Sequence, residues 1–519
     1  MKQNATLLFL FLTTFLSASK NPNILFILAD DLGYGDVACY STDSKVATPN
    51  LDKLAKAGMR FLDAHSPSTV CTPSRYSLLT GQFAFRTGVY GVFTGVGGPN
   101  MIRENQLTLP QLLKEKDYQT ALFGKWHIGM TFYDEGGRAI NEKGLEPVKQ
   151  IDYSRPASDA PIHRGFDDFF GTVCCPTTDW LYAFVDGDRI PVPPTKQLDQ
   201  ALKSEIGLPN HPYSKDCREG LIAPDFDMEN VDLIFLDKSK SFLRNHSAKN
   251  PNRPFFLLHA TQAVHLPSFA ADQFKGKSGA GPHGDFIFQF DWMVGEILRT
   301  LEETGLVENT IIMIASDNGP ELPTVKAMSM DHDHNGSHPW RGMKRDSWEG
   351  GHRVPFIVSW PGIIKPGSTS KQIVSLTDVM ATVADLVGYE LPNNSAEDSF
   401  SFLKVLTGEQ PDSLAFKEYS LQQARRDNAK SIRKGKWKYL DHKGSGGNDY
   451  TRHGQWGAQY VDLPNNTVDA PAQLYNLDVD PGETNNLYYK HPEIVQHLRE
   501  KLAELIENGR SRPKLSHEE

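Results

Sequence analysis

The chain has 519 residues, more than one compact core usually holds, so a large domain with a smaller appendage is expected. Its composition is that of an ordinary globular protein, and its formal net charge of −10 excludes a general nucleic-acid or polyanion binder. Any anionic substrate must be gripped by a local basic pocket.

The first twenty residues, "MKQNATLLFLFLTTFLSASK", carry an early lysine, an apolar run from Ala5 to Leu16 and the small residues Ser17, Ala18 and Ser19. That is the layout of a signal peptide over residues 1–19, because the run is too short to cross a bilayer comfortably. No later segment is apolar enough to span a membrane, so the mature chain is expected to be soluble and exported to a periplasmic, secreted or lysosome-like compartment. Export permits disulfides, but the cysteines are only five: Cys39, Cys71, Cys174, Cys175 and Cys217. A bridge from Cys217 to Cys174 or Cys175 and a set of buried thiols both fit that count.

Short apolar runs then punctuate the chain: "NILFIL" (23–28), "QTALFG" (119–124), "PFFLLHA" (254–260), "NTIIMIAS" (309–316) and "VPFIVSW" (354–360). Helix-like stretches such as "TPNLDKLAKAG" and "DFIFQFDWMVGEILRTLEETG" lie between them. Continuous apolar strands alternating with amphipathic helices predict an α/β fold, a mainly parallel sheet sandwiched by helices, over residues 20–415. After about residue 415 the runs turn polar and alternating, "KSIRKGKWKYL" and "AQLYNLDVD", and the chain closes on the helix-like "HPEIVQHLREKLAELIE". A small α+β unit over 416–519 is expected, with Lys434, Lys436 and Lys438 sharing one strand face, read first as a solvated edge and second as a polyanion contact.

Two of the apolar strands end alike. "NILFILADD" delivers Asp30 and Asp31, and "IIMIASDNG" delivers Asp317 and Asn318. Ligands gather beyond the carboxyl ends of strands in α/β sheets, so these oxygen-bearing side chains can converge, and an all-oxygen set suits Ca²⁺, with Mg²⁺ second, better than zinc. Either pair alone reads as a turn or a helix cap.

The stretch "TVCTPSRYSLLTGQ" (69–82) predicts a short helix with Pro73 in its first turn and Gly81 at its stop. Cys71 then sits at the amino end, where free N–H groups favour an anion, and Arg75 returns to the same face one turn on. The ordered set Cys71-x-Pro73-Ser74-Arg75 with Leu78, Thr80 and Gly81 closely resembles the signature of the type I sulfatases, a family of the alkaline-phosphatase superfamily. The resemblance implies that Cys71 is oxidised to Cα-formylglycine by a maturation enzyme that reads Pro73 and Arg75, and that this group joins Asp30, Asp31, Asp317 and Asn318 around one cation. It also implies catalytic roles for Lys125 and His127 of "FGKWHIG", for His265 of "TQAVHLP" and for Lys344 of "RGMKRDSWEGGHRVP". Upstream of His265 the reading "HATQAVH" departs from many relatives, leaving His259 as a weaker alternative acid. The cluster "DHDHNGSHPW" (331–340) spaces His334 and His338 at i, i+4, but Gly336 and Pro339 exclude a helical zinc pair; it reads equally as a solvated loop or as one facing substrate.

The implied function is hydrolysis of a sulfate monoester, on a sulfated carbohydrate or aryl sulfate, with part of the substrate wall drawn from "HRGFDDFFGTVCCPTTDW" (163–180) and from the histidine loop. A phosphate or phosphonate ester hydrolase of the same superfamily and a glycan-binding protein that never matures are the rival readings. Asn245, Asn335, Asn393 and Asn465 stand in sequons that matter only in a eukaryotic host.

Overall fold

Each continuous apolar run becomes a strand of one nine-stranded sheet. The structure is a computed structural model that describes residues 21–94, 96–426, 429–463 and 469–515. The expected signal peptide and the Asn465 sequon lie outside the described residues.

In chain order the sheet takes β1 (Asn23–Ala29), β2 (Met59–Phe61), β3 (Gln119–Lys125), β4 (Asp168–Thr172), β5 (Val185–Asp186), β6 (Phe255–Ala260), β7 (Thr310–Ser316), β8 (Phe356–Ser359) and β9 (Ser368–Ser370). Their spatial order is β9-β2-β8-β7-β1-β6-β3-β4-β5. From β7 through β4 neighbours run parallel, while β8 and β5 pair antiparallel with the strands beside them. Every residue of β1, β6 and β7 is buried, as an unbroken apolar strand requires when both sheet faces are covered. The helix α1 (Cys71–Thr80) is buried along its whole length and ends at Gly81, whose φ of 63° supplies the left-handed stop. The long helices α2 (Val231–Lys249) and α3 (Gly281–Glu303) pack on each other, and α2 lies against β3 and β6. A further helix, α4 (Val379–Leu386), packs on α1.

Register brings the working strand ends level. Ala29 lies opposite Ser316, Leu28 opposite Ala260, Ala260 opposite Gly124, and Lys125 opposite Thr172. The loops that follow these strands therefore open on one edge of the sheet.

The C-terminal part forms a four-stranded antiparallel sheet of β10 (Ser420–Gln423), β11 (Lys430–Lys434), β12 (Trp437–Leu440) and β13 (Gln473–Asn476), followed by α5 (Pro492–Glu507). Leu421, Ile432, Tyr439 and Leu474 meet Val495, Leu498 and Leu502 of α5 on one face. Leu440 and Tyr475 meet Met343 and Trp348 on the other, so this sheet backs the segment that carries Lys344. At its edge, Thr69 N–H donates to Gln423 O at 3.1 Å and Gln423 N–H to Pro67 O at 3.1 Å, which fastens β10 to the approach to α1.

The expected lysine face does not form. Gly435 and Lys436 make a two-residue hairpin loop between β11 and β12, so the three lysines lie on different elements. Lys438 is fully buried, with Nζ 2.9 Å from Glu349 and 2.9 Å from Glu483. Alternation in sequence cannot distinguish a solvated lysine from one that neutralises two buried carboxylates. All five cysteines are free thiols, so neither bridge considered for Cys217 forms.

Candidate active site

Five strand and helix ends supply the site. Asp30 and Asp31 follow β1, Lys125 ends β3, His265 follows β6, Asp317 and Asn318 follow β7, and Cys71 opens α1. All are buried.

Cys71 Sγ lies 3.6 Å from Asp30 Oδ1. The ligand atoms of Asp30, Asp31, Cys71 and His265 all lie within 4.8 Å of one another. Asp317 joins them through Arg75, whose Nε donates to Asp317 Oδ2 at 2.8 Å and whose Nη2 lies 3.5 Å from Asp30 Oδ2. Asn318 Nδ2 donates to Asp31 Oδ1 at 2.6 Å. Lys125 pairs with Asp30, and Lys344 Nζ lies 2.8 Å from Asp31 and 3.5 Å from Glu321. Three aspartates and Glu321 thus face Arg75, Lys125 and Lys344, and a divalent cation would leave a surplus of positive charge for an anion.

The donor set fits such a cation. Asn318 Oδ1 is buried with no hydrogen-bond partner, and rotating the amide would turn that oxygen toward the carboxylates. Burial pushes the Asp30 carboxyl up, but Lys125, His265 and Arg75 outweigh it and hold it below the usual carboxylate range. Burial and the neighbouring Asp30 charge lift Asp317 to about 6, against Arg75 and Lys125. A resident cation would oppose that rise.

The two histidines are oriented by carbonyls. His127 Nε2 meets Phe93 O at 2.7 Å, and a carbonyl only accepts, so the proton sits on Nε2 and Nδ1 is left as an acceptor 3.8 Å from Cys175 Sγ. His265 Nδ1 donates to Leu266 O and leaves Nε2 in the pocket, 3.9 Å from Cys175 Sγ and 3.7 Å from Asp31 Oδ2. Burial, with Lys125 nearby, lowers the His127 pKa. Burial and Lys344 press on His265 in the same direction, but Cys175, Asp31 and Asp30 overcome them and raise it to about 9.

Several expectations change here. At His127, whose φ is 62°, a left-handed residue turns the chain at the strand end, while the ladder continues by Trp126 N–H to Thr172 O and His127 N–H to Val173 O. His259 lies inside β6, bonded to Ser239 Oγ at 2.9 Å and held near 3 by burial, so it does not compete with His265. The histidine loop is neither solvated throughout nor turned to the pocket. His334 is buried, 2.8 Å from Asp36 Oδ1, and braces the turn after β1, while His338 is half-exposed near Asp43.

The pocket above Cys71 has a volume of about 280 Å³. Its buried floor includes His127, Cys175, His265 and Lys344, and its rim includes Lys143, Asp216, Arg218, Arg345 and Arg425. Sequence reading singled out none of the rim; the stretch 163–180, expected to supply part of the substrate wall, does line the pocket through Cys175, Thr178 and Asp179, but no role was read for Cys175 individually. Cys175 could have been found as the residue beyond a further parallel strand end, β4; the rim comes from loops far apart in sequence.

The sulfatase family profile matches residues 22–389. The chain belongs to the type I sulfatase family. A second profile, for the C-terminal part of N-sulphoglucosamine sulphohydrolase, matches residues 336–444. The chain is 33% identical over 520 residues to N-acetylgalactosamine-6-O-sulfatase of Bacteroides thetaiotaomicron, covering 95% of this chain and 94% of that one. It is 32% identical to human arylsulfatase A over 95% of this chain and 89% of that one. A Bacteroides thetaiotaomicron sulfatase solved in work on glycosaminoglycan metabolism superposes with a TM-score of 0.78 at 30% identity, over 94% of this chain and all of that one. The protein is a sulfuric ester hydrolase, and the family brings with it a formylglycine and a divalent metal. No helix among the described residues is long and apolar enough to cross a membrane.

Proposed function

We propose that this sulfatase hydrolyses a sulfate monoester on a sulfated saccharide, with 6-O-sulfated N-acetylgalactosamine the first substrate to test. The substrate follows from the relative that is 33% identical over nearly the whole chain. One observation carries the chemistry: position 71, at the amino end of a buried helix, opens into the same pocket as His127, His265 and Lys344, with Asp30 Oδ1 3.6 Å behind it.

When present, a formylglycine at position 71 supplies a hydrated aldehyde as nucleophile, and a cation, for which calcium is our choice on the all-oxygen donor set, supplies positive charge to a sulfate oxygen. Asp30, Asp31, Asp317 and Asn318 would hold that cation. Lys125 and Lys344 would turn from their carboxylates to the remaining sulfate oxygens, fixing the ester in line and offsetting the charge that repels a nucleophile. Arg75 holds Asp317 and Asp30 in place and favours an anion at position 71. His265 Nε2, which opens into the pocket, would act as general acid toward the oxygen of the leaving alcohol. His127 Nδ1, left as an acceptor by the Phe93 carbonyl, takes the proton from position 71 that lets sulfate go. The division into a catalytic part over 20–415 and a smaller part over 416–519, the signal peptide over 1–19 and export with them, and maturation by a formylglycine-generating enzyme belong to the same reading.

The test uses protein produced with a formylglycine-generating enzyme, its Cys71 peptide weighed intact to score conversion. Matured enzyme should release sulfate from 6-O-sulfated N-acetylgalactosamine and cleave an aryl sulfate faster than the matching aryl phosphate. Cys71→Ala should abolish turnover, and unconverted Cys71→Ser should accumulate sulfated protein. Multiple turnover by a verified serine variant, or a preference for phosphate, would overturn the reading.

A further inference from the structure

The cations of the pocket fall into two sets. Arg75, Lys125, Lys344, Arg345 and Arg218 each face a carboxylate: Asp317, Asp30, Asp31, Glu321 and, at 3.3 Å, Asp179. Lys143 and Arg425 are exposed on the rim, and among the described residues neither makes an ion pair or hydrogen bond. Arg425 stands beside Gly91, on the rim loop that also carries Phe93 and Thr94. Two unmatched positive charges beside one mouth are conspicuous on a chain of net charge −10, where a cation without a function can be neutralised by any nearby acid.

Pocket size says what stands there. At about 280 Å³ the cavity is at the small end of ligand sites and matches about one sulfated ring. A neighbouring sugar of the same saccharide has to lie in the mouth, against Lys143, Arg218 and Arg425.

We propose that the mouth binds a second anionic group, a carboxylate or a further sulfate, carried by the sugar next to the one whose ester is cleaved, with Lys143 and Arg425 as its cations. This rests on the sulfated-saccharide reading above and narrows it to a polyanionic saccharide. Arg425 offers a planar fork that meets carboxylate or sulfate with two parallel N–H bonds, while Lys143 adds a point charge. Both are solvent-exposed, so their contribution weakens as salt rises.

The experiment measures kcat/KM of matured enzyme on three substrates that share the same 6-O-sulfated sugar. One carries a neutral neighbouring sugar, one a uronate neighbour and one a sulfated neutral neighbour. The expected result is a preference of about ten- to a hundredfold for at least one charged neighbour, falling with added sodium chloride. The uronate and sulfate arms say which anion is recognised. In the Lys143→Ala/Arg425→Ala double variant the ratio of charged to neutral kcat/KM should fall toward one, and Arg425→Glu should invert it. Equal kcat/KM on all three substrates, or a preference that survives the double variant, overturns the inference while leaving the functional reading intact. Failure to cleave any of the three overturns the functional reading itself.

Discussion

Asp232 opens α2 away from the pocket, yet it controls the segment that carries His265. Its carboxylate accepts Gln262 N–H at 2.7 Å and Ala263 N–H at 2.9 Å. Ala263 O in turn accepts Asp30 N–H at 3.0 Å, and Asp30 O accepts Val264 N–H at 2.7 Å, so one buried acid indirectly sets both a candidate metal ligand and the candidate acid. Asp232→Ala leaves two buried donors unpaired, at about 1–3 kcal/mol each, and should lower both the denaturation midpoint and kcat. Burial raises the Asp232 pKa to about 7. A carboxyl raised on folding binds more protons folded than unfolded between its two pKa values. Its burial therefore costs stability progressively as pH rises from about 4 to about 7, by a few kcal/mol, and the cost is constant above. Urea melts across that window should show the wild type losing stability relative to Asp232→Asn as pH rises; parallel profiles would contradict the assignment.

At the scale of elements, α1 is the part on which the chemistry turns, and its placement depends on its stop. A Cβ at Gly81 would meet Ala396 Cβ at 2.8 Å and Ser399 Cβ at 3.0 Å, and the residue's φ of 63° is itself unfavourable for a side chain. Gly81→Ala should cost about 1–3 kcal/mol in a thermal melt, and a larger side chain more. The helix stop was legible because glycine in a left-handed cap is a local requirement. The strand ends were legible too, since an unbroken apolar run followed by acidic or amide residues marks a buried strand and its carboxyl end without reference to any partner. The turn at His127 was not, because a left-handed conformation at a non-glycine residue leaves no mark in sequence.

Across the whole molecule, a buried network joins the C-terminal sheet to the segment after Lys344. Lys438 bridges Glu349 and Glu483, Arg433 pairs with Asp63, and His65 Nδ1 meets His352 Nδ1 at 2.9 Å. Arg353 adds contacts to Asp63 at 3.3 Å and Glu349 at 2.9 Å, so three cations face three carboxylates, and the His65, Glu349 and His352 cluster, close enough to hold a metal, already has its charge matched. Removing one partner strands the others. Lys438→Met should destabilise by about 3–5 kcal/mol, and Lys438→Met/Glu483→Gln should recover part of that loss in the same denaturation series. An unchanged melt in the single variant would show that the network does not join the two sheets energetically.

Sequence by itself determined the elements whose cause is local or periodic: the buried parallel strands, the capped helix at Cys71, the paired oxygen ligands at two strand ends and the motif that marks the family. Only the tertiary structure decided which of them meet. Convergence of Asp30, Asp317, Lys125 and His265 is set by strand order and register, the rim of Lys143, Arg218 and Arg425 by loops brought together from distant positions, and the burial of Lys438 by carboxylates from two other segments. A side chain's charge is written in its own codon, but what faces that charge is supplied by residues hundreds of positions away.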